Sequence, residues 1–248
     1  MAEEDTSILT RPGRPPDVTV AYGEEADELA DVRYGSGLPE RQPLIMLVHG
    51  GYWRPTYDRH HTNAMSTALS GAGWTVASLE YRRIPGNPDA TLQDVSRAVE
   101  RLPSLVQRHN GKVVLIGHSA GGHLVIWAGA TTPSRQLVGI LALAPVADLG
   151  LADKLNLGDG AVRLFLGTEA RLRSDADPQL LRTPRAPVTI IHGETDDTVP
   201  LEVSRSYANA HPGTRLVALP GVGHFPVIDP KTKAWESVMS ELERWRAA

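Results

Sequence analysis

The sequence predicts an α/β fold, a doubly wound and mostly parallel sheet with helices on both faces. Three observations predict it. Short apolar, β-branched runs alternate along the chain with stretches whose apolar residues recur at helical spacing, which is the rhythm of successive strand–helix units. The run Lys112 to Ile116 leads into Gly117-His118-Ser119-Ala120-Gly121, and helical periodicity follows from Leu124. A G-x-S-x-G turn therefore lies between a buried strand and a helix, where a nucleophile elbow belongs. The 248 residues suit one domain of this class with a core large enough to be stable alone.

Each element follows from its local pattern. Residues 1–16, rich in proline and glycine, read as an N-terminal extension that wraps the surface or stays loosely ordered. Asp17 to Tyr22 alternates as an edge strand, and Asp31 to Tyr34 adds a short second one. Leu44 to Val48 is a continuous apolar run, as a strand covered on both faces requires, and it ends at His49-Gly50-Gly51-Tyr52-Trp53. Residues 58–72 are helix-like, Trp74 to Leu79 strand-like, and Leu92 to Val106 helical in spacing; Leu137 to Ala144 is another buried strand. Residues 149–186 break the rhythm. They read either as a lid inserted over the active edge or as ordinary surface helices. The rhythm resumes with strand Val188 to His192, a helix from Val203 to Ala210, strand Arg215 to Leu219, the loop Pro220 to Phe225 and a closing helix from Lys233 to Arg246.

Composition narrows the function. Hydrophobic residues make up 41% and charged residues 22% of the chain, ordinary values for a globular protein. A net charge of -4 supplies no basic field for nucleic acid or an anionic membrane. There is no cysteine, so disulfides, thiolate metal sites and a cysteine nucleophile are excluded. The acidic, proline-rich start has no signal-peptide core, and no window approaches the length of a membrane span. A soluble, cytoplasmic protein is expected. No histidine–carboxylate cluster has metal-ligand spacing, so no metal is expected. The partner expected is a small acyl substrate, and a homodimer is left open.

The chemistry then needs a base and an acid for Ser119. A serine hydroxyl is a poor nucleophile unless a base takes its proton and a third group orients that base. His224, in the glycine-bordered loop Gly221-Val222-Gly223-His224-Phe225 after the last strand, is the expected base. The acid is expected in Gly193-Glu194-Thr195-Asp196-Asp197, after the preceding strand. Asp196 is chosen, with Asp197 as the orienter or Asp148 as a substitute left as alternatives. Negative charge on the substrate carbonyl must meet preorganised donors, for which the amides of Gly51, Tyr52 and Ala120 are in place. Tyr52, Trp53 and His118 are the candidate substrate contacts; the two aromatics suit a flat substrate, or else plug the edge of the core. His118 and His123 flank the elbow as packing or hydrogen-bonding residues, and His60 and His61 read as the start of a solvated helix.

These motifs together resemble the α/β-hydrolase superfamily over nearly the whole chain, from Asp17 to Arg246. Within it, His49-Gly50-Gly51-Tyr52-Trp53 with Gly117-His118-Ser119-Ala120-Gly121-Gly122-His123 is similar to the kynurenine formamidase (arylformamidase) branch, close to the hormone-sensitive-lipase-type esterases. Glu80-Tyr81-Arg82 is similar to a tyrosine–arginine pair of those esterases. The lipase-type relatives usually read HGGG, and Tyr52 in the fourth place favours the formamidase side. The resemblance implies Ser119, Asp196 and His224 as catalytic triad, the HGG loop as oxyanion hole, no cofactor, and hydrolysis of N-formylkynurenine to kynurenine and formate. A carboxylesterase for short acyl or aryl esters is the alternative. A non-catalytic ligand-binding module that kept the fold is a third reading, disfavoured because all three triad candidates are present.

Overall fold

The alternation of patterns in the sequence becomes an alternation of layers. The computed structural model describes residues 5–132 and 134–246. Residues 1–4 of the N-terminal extension lie outside that range. Eight strands form one sheet: β1 (Val18–Ala21), β2 (Leu29–Arg33), β3 (Leu44–Val48), β4 (Val76–Leu79), β5 (Val113–His118), β6 (Leu137–Leu143), β7 (Val188–Gly193) and β8 (Arg215–Leu219). Their order is β1-β2-β4-β3-β5-β6-β7-β8. β1–β2 and β2–β4 pair antiparallel, and the remaining pairs are parallel. The sheet is mostly parallel, as the strand–helix rhythm predicts.

The continuous apolar strands follow from this layering. In β3, Leu44, Met46 and Val48 join the core on one face of the sheet, packed with Leu92, Val95 and Leu124, while Ile45 and Leu47 join the other, with Met65, Leu69 and Val238. A strand covered on both faces has no polar side to show. Among the described residues there are seven helices, α1 (Asn63–Gly71), α2 (Pro88–Leu105), α3 (Ala120–Thr131), α4 (Leu149–Lys154), α5 (Leu157–Leu166), α6 (Leu201–Ala210) and α7 (Ala234–Glu243), of which α1, α2, α3, α6 and α7 cover those faces. Two begin earlier than apolar spacing alone predicts. α2 starts at Pro88, with Asp89 in its first turn, because proline at the first helical position and an acid near the positive helix end both favour a start there. α3 starts at Ala120, directly after the elbow. The stretch from 58 is first a 3-10 turn, Arg59–Thr62, capped by Asp58 accepting from the His60 amide at 2.9 Å.

The segment 149–186 contains α4, α5 and two short 3-10 turns. It packs on the loop after β3: Phe165 stacks on Trp53 at 4.5 Å between ring centroids, and Arg54 donates to the Gly158 carbonyl. The N-terminal stretch is tied down at Arg11, which forms a bidentate pair with Asp229 at 2.5 and 2.9 Å, and Ile8 is buried in the core.

The elbow fixes where all of this converges. Ser119 adopts φ 55° and ψ -120°, a left-handed conformation costly for a residue with a Cβ. Its amide donates to Leu143 of β6 at 2.8 Å. The glycines beside it are there for space. A Cβ on Gly121 would lie 2.2 Å from the Val48 carbonyl oxygen, and one on Gly117 would lie 2.1 Å from that of Gly121. Both contacts are backbone and cannot swing away. Gly121→Ala and Gly117→Ala are expected to destabilise the fold by about 3 kcal/mol each in urea denaturation. Gly71→Ala, where a Cβ meets nothing within 4 Å, is expected to change stability by no more than about 1 kcal/mol, in the stabilising direction.

Candidate active site

Four loops meet at the C-terminal edge of the parallel strands, where open α/β sheets place their ligands. The loop after β3 brings Gly50 to Trp53, the elbow brings His118 and Ser119, the loop after β7 brings Asp196, and the loop after β8 brings His224. Ser119 and His224, 3% and 1% exposed, line one cavity of about 130 Å³.

Asp196 lies against His224, with its Oδ2 2.7 Å from His224 Nδ1. Its Oδ1 accepts from the amides of Thr198 at 3.0 Å and Val199 at 2.8 Å. Burial alone would raise this carboxyl, but the hydrogen bonds from His192 and His224 and the Val199 amide outweigh it and hold the group well below the usual carboxylate range. Asp197 is exposed to solvent. Asp148 is engaged elsewhere: it caps α4 by accepting from Leu151 N at 2.8 Å and accepts from the Ser206 hydroxyl at 2.6 Å. Because a carboxylate can only accept, His224 Nδ1 carries the proton and Nε2 presents its lone pair. Among the described residues no hydrogen bond joins Ser119 Oγ to His224, a contact often long before substrate binds.

The loop after β3 lies hard against the elbow. A Cβ on Gly50 would lie 2.8 Å from the His118 carbonyl and 3.0 Å from Ser119 Cβ, so only glycine lets the chains come this close. Gly51, Tyr52 and Trp53 follow with φ of 107°, 50° and 55°. Three successive positive φ values turn the main chain out of its strand direction. Among the described residues no backbone group accepts from the amides of Gly51, Tyr52 or Ala120. His49 holds this loop from below, with Nδ1 2.8 Å from the Gly50 carbonyl, Nε2 3.2 Å from Glu80 Oε1, and its ring stacked on Tyr81 at 4.3 Å. Glu80 is buried, which would raise its carboxyl, yet the His49 hydrogen bond, the Arg83 charge and the Arg59 amide bring it down to about 2. The Tyr81 hydroxyl donates to the His49 carbonyl at 2.9 Å, and Arg82 pairs with Asp94 at 2.6 Å. The Glu80-Tyr81-Arg82 stretch thus braces the loop rather than lining the cavity.

Of the three residues expected to contact substrate, two line the cavity. Tyr52 does, with its hydroxyl donating to the Thr198 carbonyl at 2.6 Å. His118 does too; its Nε2 donates to the His224 carbonyl at 3.0 Å, and burial together with the neighbouring His224 pushes its pKa down to about 3. Trp53 does not. It is 3% exposed and packed between Phe165 and His123, with centroids at 4.5 and 5.1 Å, so it plugs the core edge. His61 corrects the expectation of a solvated helix start: half-buried against Tyr57, it lines the cavity, whereas the His60 side chain is 55% exposed.

Three apolar walls carried no signal in the sequence. Leu9, Phe225 and Ile228 come from the N-terminal stretch and the segment after His224, which the Arg11–Asp229 pair draws together. His192 carried no signal of a functional role in the sequence either. It is fully buried, 3.1 Å from Asp196 Oδ2, and in the sequence it reads only as the end of the strand Val188 to His192. No residue of 149–186 lines the cavity. Among the described residues no histidine–carboxylate group could hold a metal ion, and no helix is long and apolar enough to cross a membrane.

Comparison with known proteins agrees with this architecture. The family described as BD-FAE matches residues 31–148, from β2 to just past β6. Esterase LipC of Mycobacterium tuberculosis is 26% identical over 92% of this chain and 66% of its own length, so the chain spans about two thirds of that relative. Kynurenine formamidase of Salmo salar is 27% identical over 86% of this chain and 76% of its own length. Among solved structures, a truncated carbohydrate esterase from gut microbiota superposes with a TM-score of 0.80 at 18% identity, covering 96% of this chain and 99% of its own; at that identity the likeness is one of fold. With the sheet order, the glycine-flanked elbow and these relatives in hand, the chain has the α/β-hydrolase fold and is similar to the esterases and kynurenine formamidases of that fold.

Proposed function

We propose that the chain hydrolyses a small acyl substrate through an acyl-enzyme on Ser119, with an arylformamide as the leading substrate class. The observation that carries this is the 2.7 Å contact of His224 Nδ1 with Asp196, made at the edge of the same cavity that Ser119 lines. It leaves His224 Nε2 as the free base beside an activated-serine elbow.

The steps follow from the atoms. Ser119 Oγ attacks the carbonyl carbon while His224 Nε2 takes its proton. The oxygen becomes anionic and meets the amides of Gly51, Tyr52 and Ala120. The carbonyl–nitrogen or carbonyl–oxygen bond then breaks, with His224 returning the proton to the leaving group. Water repeats the sequence against the acyl-serine and frees the acid. Asp196 holds the imidazole in the tautomer that both halves need.

Cavity size bears on the substrate. At about 130 Å³ it is close to the volume that holds one benzene ring, which suits a small acyl substrate carrying a single ring. Tyr52, Tyr57 and Phe225 supply flat walls for a ring. The similarity to kynurenine formamidase of Salmo salar favours the formamide. The similarity to an esterase over nearly the whole chain keeps a short-chain carboxylesterase as the second reading.

The test is kinetic. N-formylkynurenine and p-nitrophenyl acetate are assayed side by side, with Ser119→Ala as blank. A kcat/KM for the formamide at or above about 10⁴ M⁻¹s⁻¹ supports the arylformamidase; ester turnover without formamide turnover selects the esterase; and no turnover of either removes the hydrolase reading. Ser119→Ala is expected to lower kcat by at least about 10⁴-fold on whichever substrate is turned over. Asp196→Asn is expected to cost about 10⁴-fold in kcat, because it reverses the tautomer of His224, and Asp197→Asn less than about twofold, as an exposed surface change. Glu80→Gln tests the brace under the oxyanion loop. A carboxyl held down at about 2 contributes stability that is present above its unfolded value near 4.5 and lost as pH falls toward 2. The stability gap between wild type and Glu80→Gln, followed by urea midpoints, is therefore expected to narrow over that window.

A further inference from the structure

Four donors converge on the buried Asp196 carboxylate, and His192 is the one the hydrolytic scheme does not use. His192 lies in β7 and is fully buried. Its Nε2 stands 2.8 Å from the Val199 carbonyl and 3.1 Å from Asp196 Oδ2. Both partners only accept, so Nε2 carries the proton. The N–H points along the shorter contact to Val199, with Oδ2 beside it. Nδ1 stands 2.7 Å from the Ser204 hydroxyl of α6; in the neutral ring it accepts and Ser204 donates. Val199 in turn donates its amide to Asp196 Oδ1 at 2.8 Å. The ring therefore grips the acid loop twice, through the Val199 carbonyl and against the carboxylate that holds His224.

We propose that His192 is a positioning residue that sets the basicity of His224 through Asp196, with Ser204 fixing the orientation of its ring. The inference rests on the assignment of Asp196 and His224 as acid and base. The electrostatic reason is direct. The positive end of the His192 N–H lies against the same oxygen, Oδ2, that accepts from His224 Nδ1. It draws off negative charge that would otherwise stabilise the His224 imidazolium, and so keeps His224 a weaker base. The same contact is among those that hold the Asp196 carboxyl low. The other groups facing His224 are Asp196 itself and His118 of β5, which bonds the His224 carbonyl, while Tyr52 and His61 line the same cavity. None of them changes in the variants below.

A residue that only filled space would leave the titration of His224 alone. The experiment follows that titration by NMR of the imidazole protons, together with kcat/KM against pH on p-nitrophenyl acetate, for wild type, His192→Phe, His192→Gln and Ser204→Ala. His192→Phe removes the N–H and is expected to raise the His224 midpoint, and the acid limb of the profile, by about half to one pH unit. His192→Gln places an amide N–H near the position of Nε2 and is expected to stay within about 0.2 units of wild type. Ser204→Ala frees the ring to turn and is expected to move the midpoint the same way by less. A folded His192→Phe with an unmoved midpoint, or a His192→Gln that shifts as far as His192→Phe, overturns the proposal. If His192→Phe does not fold, an unmoved midpoint in Ser204→Ala overturns it. The NMR titration needs no turnover, so an inactive wild type would sink the hydrolase reading while the behaviour of His192 is still decided.

Discussion

The backbone contact between the elbow and the end of β3 is the constraint on which the rest of the site depends. Ser119 can hold its left-handed conformation only because β5 and α3 clamp it from both sides, and they can close only because Gly117 and Gly121 have no side chain to intervene. That packing sets the distance from the serine to the loop of Gly50 to Trp53. The loop is itself strained at Tyr52 and Trp53 and is held in place by the His49–Glu80–Arg59 cluster beneath it. Strain in the elbow and in the loop after β3 is thus supported by charge and packing one layer down.

The same separation of layers explains how legible the chain was. The strands were readable because covered strands must be apolar on both faces, and Leu44 to Val48 or Leu137 to Leu143 leave little else to infer. The serine was readable because its motif needs a strand before it and a helix after it, and both patterns are local. His224 and Asp196 were readable as loop positions after the last two strands, though the sequence could not rank Asp196 over its neighbour. Their order of burial, one fully enclosed and the other in solvent, is a property of how the loop turns.

What stayed hidden depends on distant pairings. Trp53 follows Tyr52 directly, yet one ring faces the cavity and the other the core, because the backbone twist between them is set by Phe165 and His123 from elsewhere in the chain. His61 carries the same chemistry as His60, and only packing against Tyr57 distinguishes them. His192 looked like part of a strand. Its role is visible only once α6 brings Ser204 to one nitrogen and the acid loop reaches the other. The segment 149–186 was ambiguous between cover and surface; it lies behind the loop after β3, outside the cavity wall.

The clasp between Arg11 and Asp229 has a consequence for anyone who alters the ends of this chain. Asp229 follows the cavity wall residue Ile228 and lies five residues beyond His224, while Arg11 sits two residues after Leu9, another wall. The pair therefore joins both sides of the substrate chamber across its outer rim. Whatever pulls on the N-terminal stretch, a fused tag or a tether to a surface, pulls on the segment that carries His224. Handling of the N-terminus thus becomes a variable of the cavity's shape as well as of expression.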